Sequence, residues 1–290
     1  MRTLAALVLT ACALAPAPAA AADWFFEGDA GVVYETNVGL AQRARDVKSD
    51  SALSTSVSTG LALPLGDDHL FTFSGDVNGN GYVELPGLSN LGIGATAAFR
   101  TKFGLGASAP WLRLFASGTR LEYDDAVRDA WRYRLGAGGG LRLGERWDVR
   151  LDYVFEERMA DHGHRVSRIL PGDVFDITSH TYSARLDVAV NEVLTVFGGY
   201  ALREGDVVST TRRNAAILAA STALTTDRPF GPDFVAYKID ATVHILSFGL
   251  SFALGRHASL NLGYERQLGF GRRDQDYFND VFRAGVPVSY

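Results

Sequence analysis

In WRYRLGAGGGLRLGERWDVRLDYVFE, residues 131–156, apolar side chains recur at every second position. Trp131, Tyr133, Leu135, Ala137, Leu141 and Leu143 share one row, and Arg132, Arg134 and Arg142 stand between them. A period of two belongs to a strand whose faces meet different surroundings. At the centre, Leu143-Gly144-Glu145-Arg146-Trp147 reads as a three-residue hairpin loop, which sets Leu143 opposite Trp147. Counting outward places Arg142 opposite Asp148 and Arg134 opposite Glu156 on one face, and Leu135 opposite Phe155 and Ala137 opposite Tyr153 on the other. Opposite charges meet on the first face and apolar groups on the second, as stable cross-strand pairing requires.

The same design recurs along the chain. Leu65-Gly66-Asp67-Asp68-His69 and Leu254-Gly255-Arg256-His257-Ala258 repeat the turn, and the second aligns Phe252 with Leu260, Leu250 with Leu262, Phe248 with Tyr264 and Ser251 with Asn261. A fourth hairpin across Asn191-Glu192-Val193 aligns Val188 with Val196 and Leu186 with Gly198. Single strands alternate likewise. Trp24, Phe26, Ala30, Val32 and Tyr34 oppose Glu27, Asp29, Glu35 and Asn37, and Leu53, Val57, Leu61 and Leu63 oppose Ser54, Ser56, Ser58 and Ala62.

Between these hairpins lie longer polar stretches, near 39–50, 83–88, 124–129, 159–174, 205–233 and 267–276. Short turns on one rim and long loops on the other describe an all-β, closed antiparallel transmembrane barrel, with the turns periplasmic and the loops extracellular. With both termini on the short-turn rim, about twelve strands are expected. Ten is the alternative, because residues 111–123 have no decided parity: odd positions outward put Arg113 in lipid, and even positions outward leave Phe115 unexplained.

The first residues are set apart from this pattern. Arg2, an apolar run over residues 4–14 and Ala20-Ala21-Ala22 before Asp23 have the three zones of a secretory leader, so residues 1–22 are expected to be removed and residues 23–290 to form the barrel. Leu9-Thr10-Ala11-Cys12 resembles the box at which bacterial lipoproteins are cut, a rival reading with a short apolar run before it. Cleavage after Ala22 removes Cys12, the one cysteine, and leaves the mature chain without disulfides or a thiolate metal site. After Asp23 no apolar run reaches the length of a membrane helix, and the longest, residues 245–254, is broken by serine and glycine. A net charge of −5 spread without a basic block gives no footprint for nucleic acid.

Alternation alone does not say which face meets lipid. The polar face is built of Gly, Ser, Thr and Asn and of Arg aligned with Asp or Glu, which suits a confined lumen better than open water. A sheet in lipid must also close on itself to satisfy its backbone.

The last residues, Arg283-Ala284-Gly285-Val286-Pro287-Val288-Ser289-Tyr290, resemble the C-terminal signal by which outer-membrane barrels are recognised by their assembly machinery, with Arg283, Gly285, Val288 and Tyr290 in its places. The mature chain as a whole resembles the porin-like outer-membrane barrels of Gram-negative bacteria. That resemblance implies membrane insertion and solute passage, with outer-membrane lipid and lipopolysaccharide around the wall and small solutes inside. It implies no cofactor.

Several residue sets are candidates for function. The lumen charges are Glu27, Asp29, Asp76, Arg132, Arg134, Arg142, Asp148, Arg150, Asp152, Glu156, Arg185, Asp187 and Arg203. Interleaved as they are, they predict either weak charge selectivity, at most a modest anion preference, or closed salt bridges that plug a narrow barrel with a structural, adhesive or lipid-modifying role. Ile217 and Leu218, in the apolar stretch 215–221, are the candidate constriction: either folded into the mouth or packed on Val166, Ile169 and Leu170. His257-Ala258-Ser259 has the H-x-S spacing of outer-membrane lipid-cleaving enzymes, but the register puts His257 in a periplasmic turn, and no catalytic residue is assigned. Asp161-His162-Gly163-His164 lacks further ligands and reads as a solvated loop, so no metal site is assigned either.

Overall fold

The computed structural model describes residues 22–161, 170 and 172–290. The leader lies outside these residues except for Ala22, as do His162, His164, Val166 and Ile169.

Twelve antiparallel strands form a closed ring: β1 (Asp23–Glu35), β2 (Asp50–Pro64), β3 (His69–Tyr82), β4 (Asn90–Lys102), β5 (Trp111–Tyr123), β6 (Ala130–Leu143), β7 (Trp147–Ala160), β8 (Ile177–Ala189), β9 (Leu194–Arg212), β11 (Phe234–Ala253), β12 (Ser259–Gly271) and β13 (Tyr277–Ser289). Each strand pairs with the next in this order, and β1 pairs with β13 to close the sheet. A four-residue strand, β10 (Ala223–Thr226), lies on the edge of β11 above the end of β12.

The hairpin registers follow the side-chain chemistry. Arg142 is aligned with Asp148, Arg134 with Glu156, Leu135 with Phe155 and Ala137 with Tyr153. Phe252 faces Leu260 and Leu250 faces Leu262, while Val188 faces Val196. In the turns, Leu65 N donates to His69 O at 2.9 Å and Leu254 N to Ala258 O at 2.9 Å. Gly66 and Gly144 hold φ of 77° and 71°, the left-handed conformation that favours glycine.

The parity of β5 is settled by its neighbours. Leu114 is aligned with Phe99 and Ala137, and Leu112 with Gly139, so the even positions face outward. Arg113 and Phe115 therefore both point inward. Phe115 fits because it faces Gly136, where a Cβ would strike its ring, and Trp111 covers Gly140 in the same way, its ring 2.5 Å from where a Cβ would stand. Glycines in β6 thus make room for aromatic side chains inside the bore.

The outward row is exposed and largely apolar. Leu53, Phe73, Ile93, Leu114, Leu135, Leu151, Tyr182, Tyr200, Phe248, Leu262 and Phe282 lie uncovered on β2 to β9 and β11 to β13, and the charged pair in the row on β12 and β13, Arg266 with Asp280, closes on itself at 3.3 Å. Trp24, Trp147 and Tyr290 mark its lower rim, and Trp131, Phe270 and Phe278 its upper rim. A continuous apolar belt of this size is stable in a bilayer and not in water.

Two features differ from the sequence reading. Two of the long loops are shorter than expected, because β9 and β11 run to 19 and 20 residues and β12 to Gly271. Residues 206–212 of β9 and 234–240 of β11 pair with each other beyond the last pairs to β8 and β12, so this hairpin extends past the ring. The connection at 103–110 is eight residues long, an exception among the short turns. Pro287 is tolerated in β13 because the ladder to β12 stops at Asn261 and Gly285 and resumes only as the single bridge from Ala258 to Val288.

Candidate functional site

The inward row lines the bore. In its periplasmic half, a cavity of about 750 Å³ is bounded by three arginines (Arg100, Arg113 and Arg150) and three carboxylates (Glu27, Asp76 and Asp148), together with Trp111, Phe25 and small residues. The charges are sorted around the circumference. On β1 and β3 the row carries Glu27, Asp29 and Asp76; on β4, β5 and β6 it carries Arg100, Arg113, Arg132, Arg134 and Arg142. On β7 and β8 the two signs mix and pair: Arg150 lies 3.6 Å from Asp148 and 3.5 Å from Asp187, and Arg185 lies 2.7 Å from Asp187. Arg134 meets Glu156 at 3.5 Å.

The unpaired charges are held without being neutralised. Asp76 accepts hydrogen bonds from Ser58 at 2.8 Å, Ser74 at 3.1 Å and Thr96 at 2.8 Å, all neutral hydroxyls. The guanidinium of Arg100 stands 4.8 Å from the ring centre of Trp111, and that of Arg113 stands 5.3 Å from Phe115. Aromatic faces steady a guanidinium while leaving its in-plane N–H donors unused. Among the described residues neither arginine has a carboxylate within 4.0 Å.

Other predicted residues have local partners. Arg142 donates to Glu145 O at 2.6 Å in the turn, and Arg203 to Asp206 O at 2.9 Å. Asp152 is aligned with Gly138 and Ser183. Arg283 meets Glu265 at 3.0 Å inside the wall. Gly285 is aligned with Gly31 and Val288 with Gly28, and Tyr290 stacks on His257 with ring centres 4.6 Å apart. His257 Nδ1 donates to Ser289 O at 2.9 Å, and the Ser259 hydroxyl donates to Asn261 at 3.2 Å. Both groups of the H-x-S are thus engaged elsewhere. Asp161 pairs with Arg120 at 2.5 Å.

The extracellular mouth is crossed by the segment 213–233, which carries the short helix α1 (Ala215–Ala220). Ile217 is buried against Val207, Val235, Tyr237 and Tyr277, with Leu40 packed beside it, whereas Leu218 is 43% exposed. Further along, Phe230 and Phe234 pack on Leu85 and Leu88 of the loop between β3 and β4. That loop lies six strands away around a ring of twelve, so the contact spans the bore. Asp227, buried, is held by Arg128 and by the Thr210 hydroxyl at 2.6 Å. The loop 36–49 folds in beneath: Thr210 N donates to Gly39 O at 2.7 Å, and Lys48 Nζ reaches Phe230 O at 2.7 Å. Asp46 takes Thr211 at 2.6 Å and Arg212 at 3.1 Å.

Sequence reasoning left Trp111 and Arg113 unassigned because the parity of β5 was undecided, and it gave no role to Arg100 on β4. It missed Arg128, Asp227 and Asp46 because loop contacts between distant segments leave no periodic trace.

A closed ring with short turns at one rim, an apolar belt and a charged bore defines the class: this is an integral outer-membrane β-barrel. An outer-membrane channel from Pseudomonas putida F1 has the same kind of fold, with a TM-score of 0.56 and 12% identity over 92% of this chain and 95% of that one. The NanC porin (TM-score 0.48, 10% identity, 90% of this chain and 98% of that one) and the KdgM porin in complex with disordered oligogalacturonate (0.47, 12%, 91% and 99%) superpose less closely. Likeness at such identity speaks for the fold alone. No family model matches the chain, and no curated protein matches it.

Proposed function

We propose that the barrel is a passive channel for small hydrophilic solutes, with weak net charge selectivity and an outer mouth narrowed by the segment 213–233. The cavity in the bore carries this reading: it is wide enough for a solute, and its three arginines balance its three carboxylates. In this reading the chain is exported with cleavage after Ala22. It is then received by the barrel-assembly machinery through Arg283, Gly285, Val288 and Tyr290, and sits among outer-membrane lipid and lipopolysaccharide. Ile217 is the constriction residue, since it is the one that packs into the mouth, and exposed Leu218 is its flank.

Reconstitution into a planar bilayer tests the reading. Discrete conductance steps are expected, with a cation-to-anion permeability ratio near unity. Silence from protein that still shows heat-modifiable mobility would favour the second reading, a closed barrel with a structural, adhesive or lipid-modifying role, which the bridged mouth also suits. Deleting residues 212–226 is expected to raise conductance; an unchanged value would end the constriction proposal and leave the barrel intact.

A further inference from the structure

The bore has no net charge preference built into its cavity, yet its charges are far from evenly mixed. Going round the wall, the negative groups without a cationic partner, Glu27 and Asp76, stand on β1 and β3, and the positive groups without an anionic partner, Arg100 and Arg113, stand on the adjoining β4 and β5. All four border one cavity, with Phe25 and Trp111 in its lining.

Three observations separate this from a closed set of ion pairs. Asp76 is satisfied by three hydroxyls, which orient the carboxylate and leave its charge in place. Arg100 and Arg113 lean on aromatic rings, so their donor edges stay available, and Arg100 Nε is buried without a hydrogen-bond partner. On β7 and β8, by contrast, the charges meet one another at 2.7–3.6 Å. Around this cavity the wall therefore keeps two poles of opposite sign open, while its remaining pair, Arg150 and Asp148, is closed.

We infer that this cavity is a subsite for zwitterionic solutes: a carboxylate taken by Arg100 and Arg113, an ammonium group taken by Glu27 and Asp76, and an apolar or aromatic middle against Trp111 and Phe25. A singly charged solute gains at one pole only and leaves the other without a partner, while a dipolar one serves both. Weak net ion selectivity and preference for dipolar solutes then coexist. This deepens the channel reading and rests on it.

The test is osmotic swelling of liposomes carrying the full barrel, with four probes that share one aromatic side chain: phenylalanine (dipolar), N-acetylphenylalanine (anionic), phenylalaninamide (cationic) and N-acetylphenylalaninamide (neutral). Phenylalanine is expected to enter about threefold to tenfold faster than the neutral probe, the range that two partly exposed charge contacts supply. In Arg100→Gln/Arg113→Gln the dipolar advantage is lost and the cationic probe gains on the anionic; in Glu27→Gln/Asp76→Asn it is lost and the anionic probe gains. Heat-modifiable mobility verifies each barrel, and Arg113→Gln and Glu27→Gln singly serve where a double variant does not assemble. Equal entry of phenylalanine and the neutral probe in the wild type, or an advantage that survives both sets of changes, overturns the inference. Absence of swelling with every probe, and with glycine, sinks the channel reading itself.

Discussion

One guanidinium nitrogen of Arg128 donates to both carboxylate oxygens of Asp227, at 2.8 and 2.7 Å, although four strands of the ring separate their loops. Both residues are buried, and the Arg128 guanidinium also lies 4.6 Å from the ring centre of Phe175. The pair fastens the crossing segment to the far side of the mouth.

Removing Asp227 leaves the buried Arg128 with only the more distant Asp125, at 4.0 Å. Asp227→Ala is expected to weaken the closure of the mouth, by less than the about 3–5 kcal/mol of a wholly uncompensated buried charge, and single-channel recording should show a larger mean conductance. The ring's own ladders do not include this contact, so the variant is expected to retain heat-modifiable mobility. A conductance equal to the wild type would show that the segment does not limit flow.

Adjacent positions on β12 separate the two faces. Leu262→Arg puts a cation in the lipid-facing row and is expected to destabilise the folded barrel by about 2–4 kcal/mol. Asn261→Arg, one residue away and facing Gly285 inside, is expected to cost far less. Denaturant unfolding in lipid vesicles measures both, and equal losses would contradict the assignment of faces.

Phe115 occupies the space left by the missing side chain of Gly136. Gly136→Val is expected to lower stability by about 1–3 kcal/mol, and combining it with Phe115→Ala should recover part of the loss. The same unfolding assay reads the coupling, and strict additivity would argue against the packing described.

N-terminal sequencing of protein recovered from the outer membrane is expected to begin at Asp23. A start at an acylated Cys12 would replace this with the lipoprotein reading. Deleting Tyr290 removes the ring stacked on His257 and the backbone bonds to Phe26, at 3.0 and 2.9 Å, and is expected to reduce the heat-modifiable fraction in membranes.

The barrel was legible because its strands meet lipid on one side and a polar bore on the other, so every strand repeats one constraint. The cross-strand pairs of Arg134, Arg142, Leu250 and Val188 could be counted from their turns for that reason. β5 resisted because Trp111 and Phe115 share the inward row with Arg113, and alternation expects aromatic rings on the lipid side and arginines within. Their position depends on Gly136 and Gly140 in the next strand, information that no single segment holds. The mouth was illegible for a related reason: Phe230 meets Leu88, and Asp227 meets Arg128, through folding of loops whose sequence separations obey no period.

The seven-residue extensions of β9 and β11 span roughly 20 Å at the usual advance per strand residue. They hold the crossing segment over the mouth on their own rungs, with Phe234 packed on Leu85 and Leu88. Substitutions in that segment consequently spare the surface on which insertion depends, and drift driven by phage or antibody pressure can reshape the cell's outward display while the transmembrane wall stays fixed.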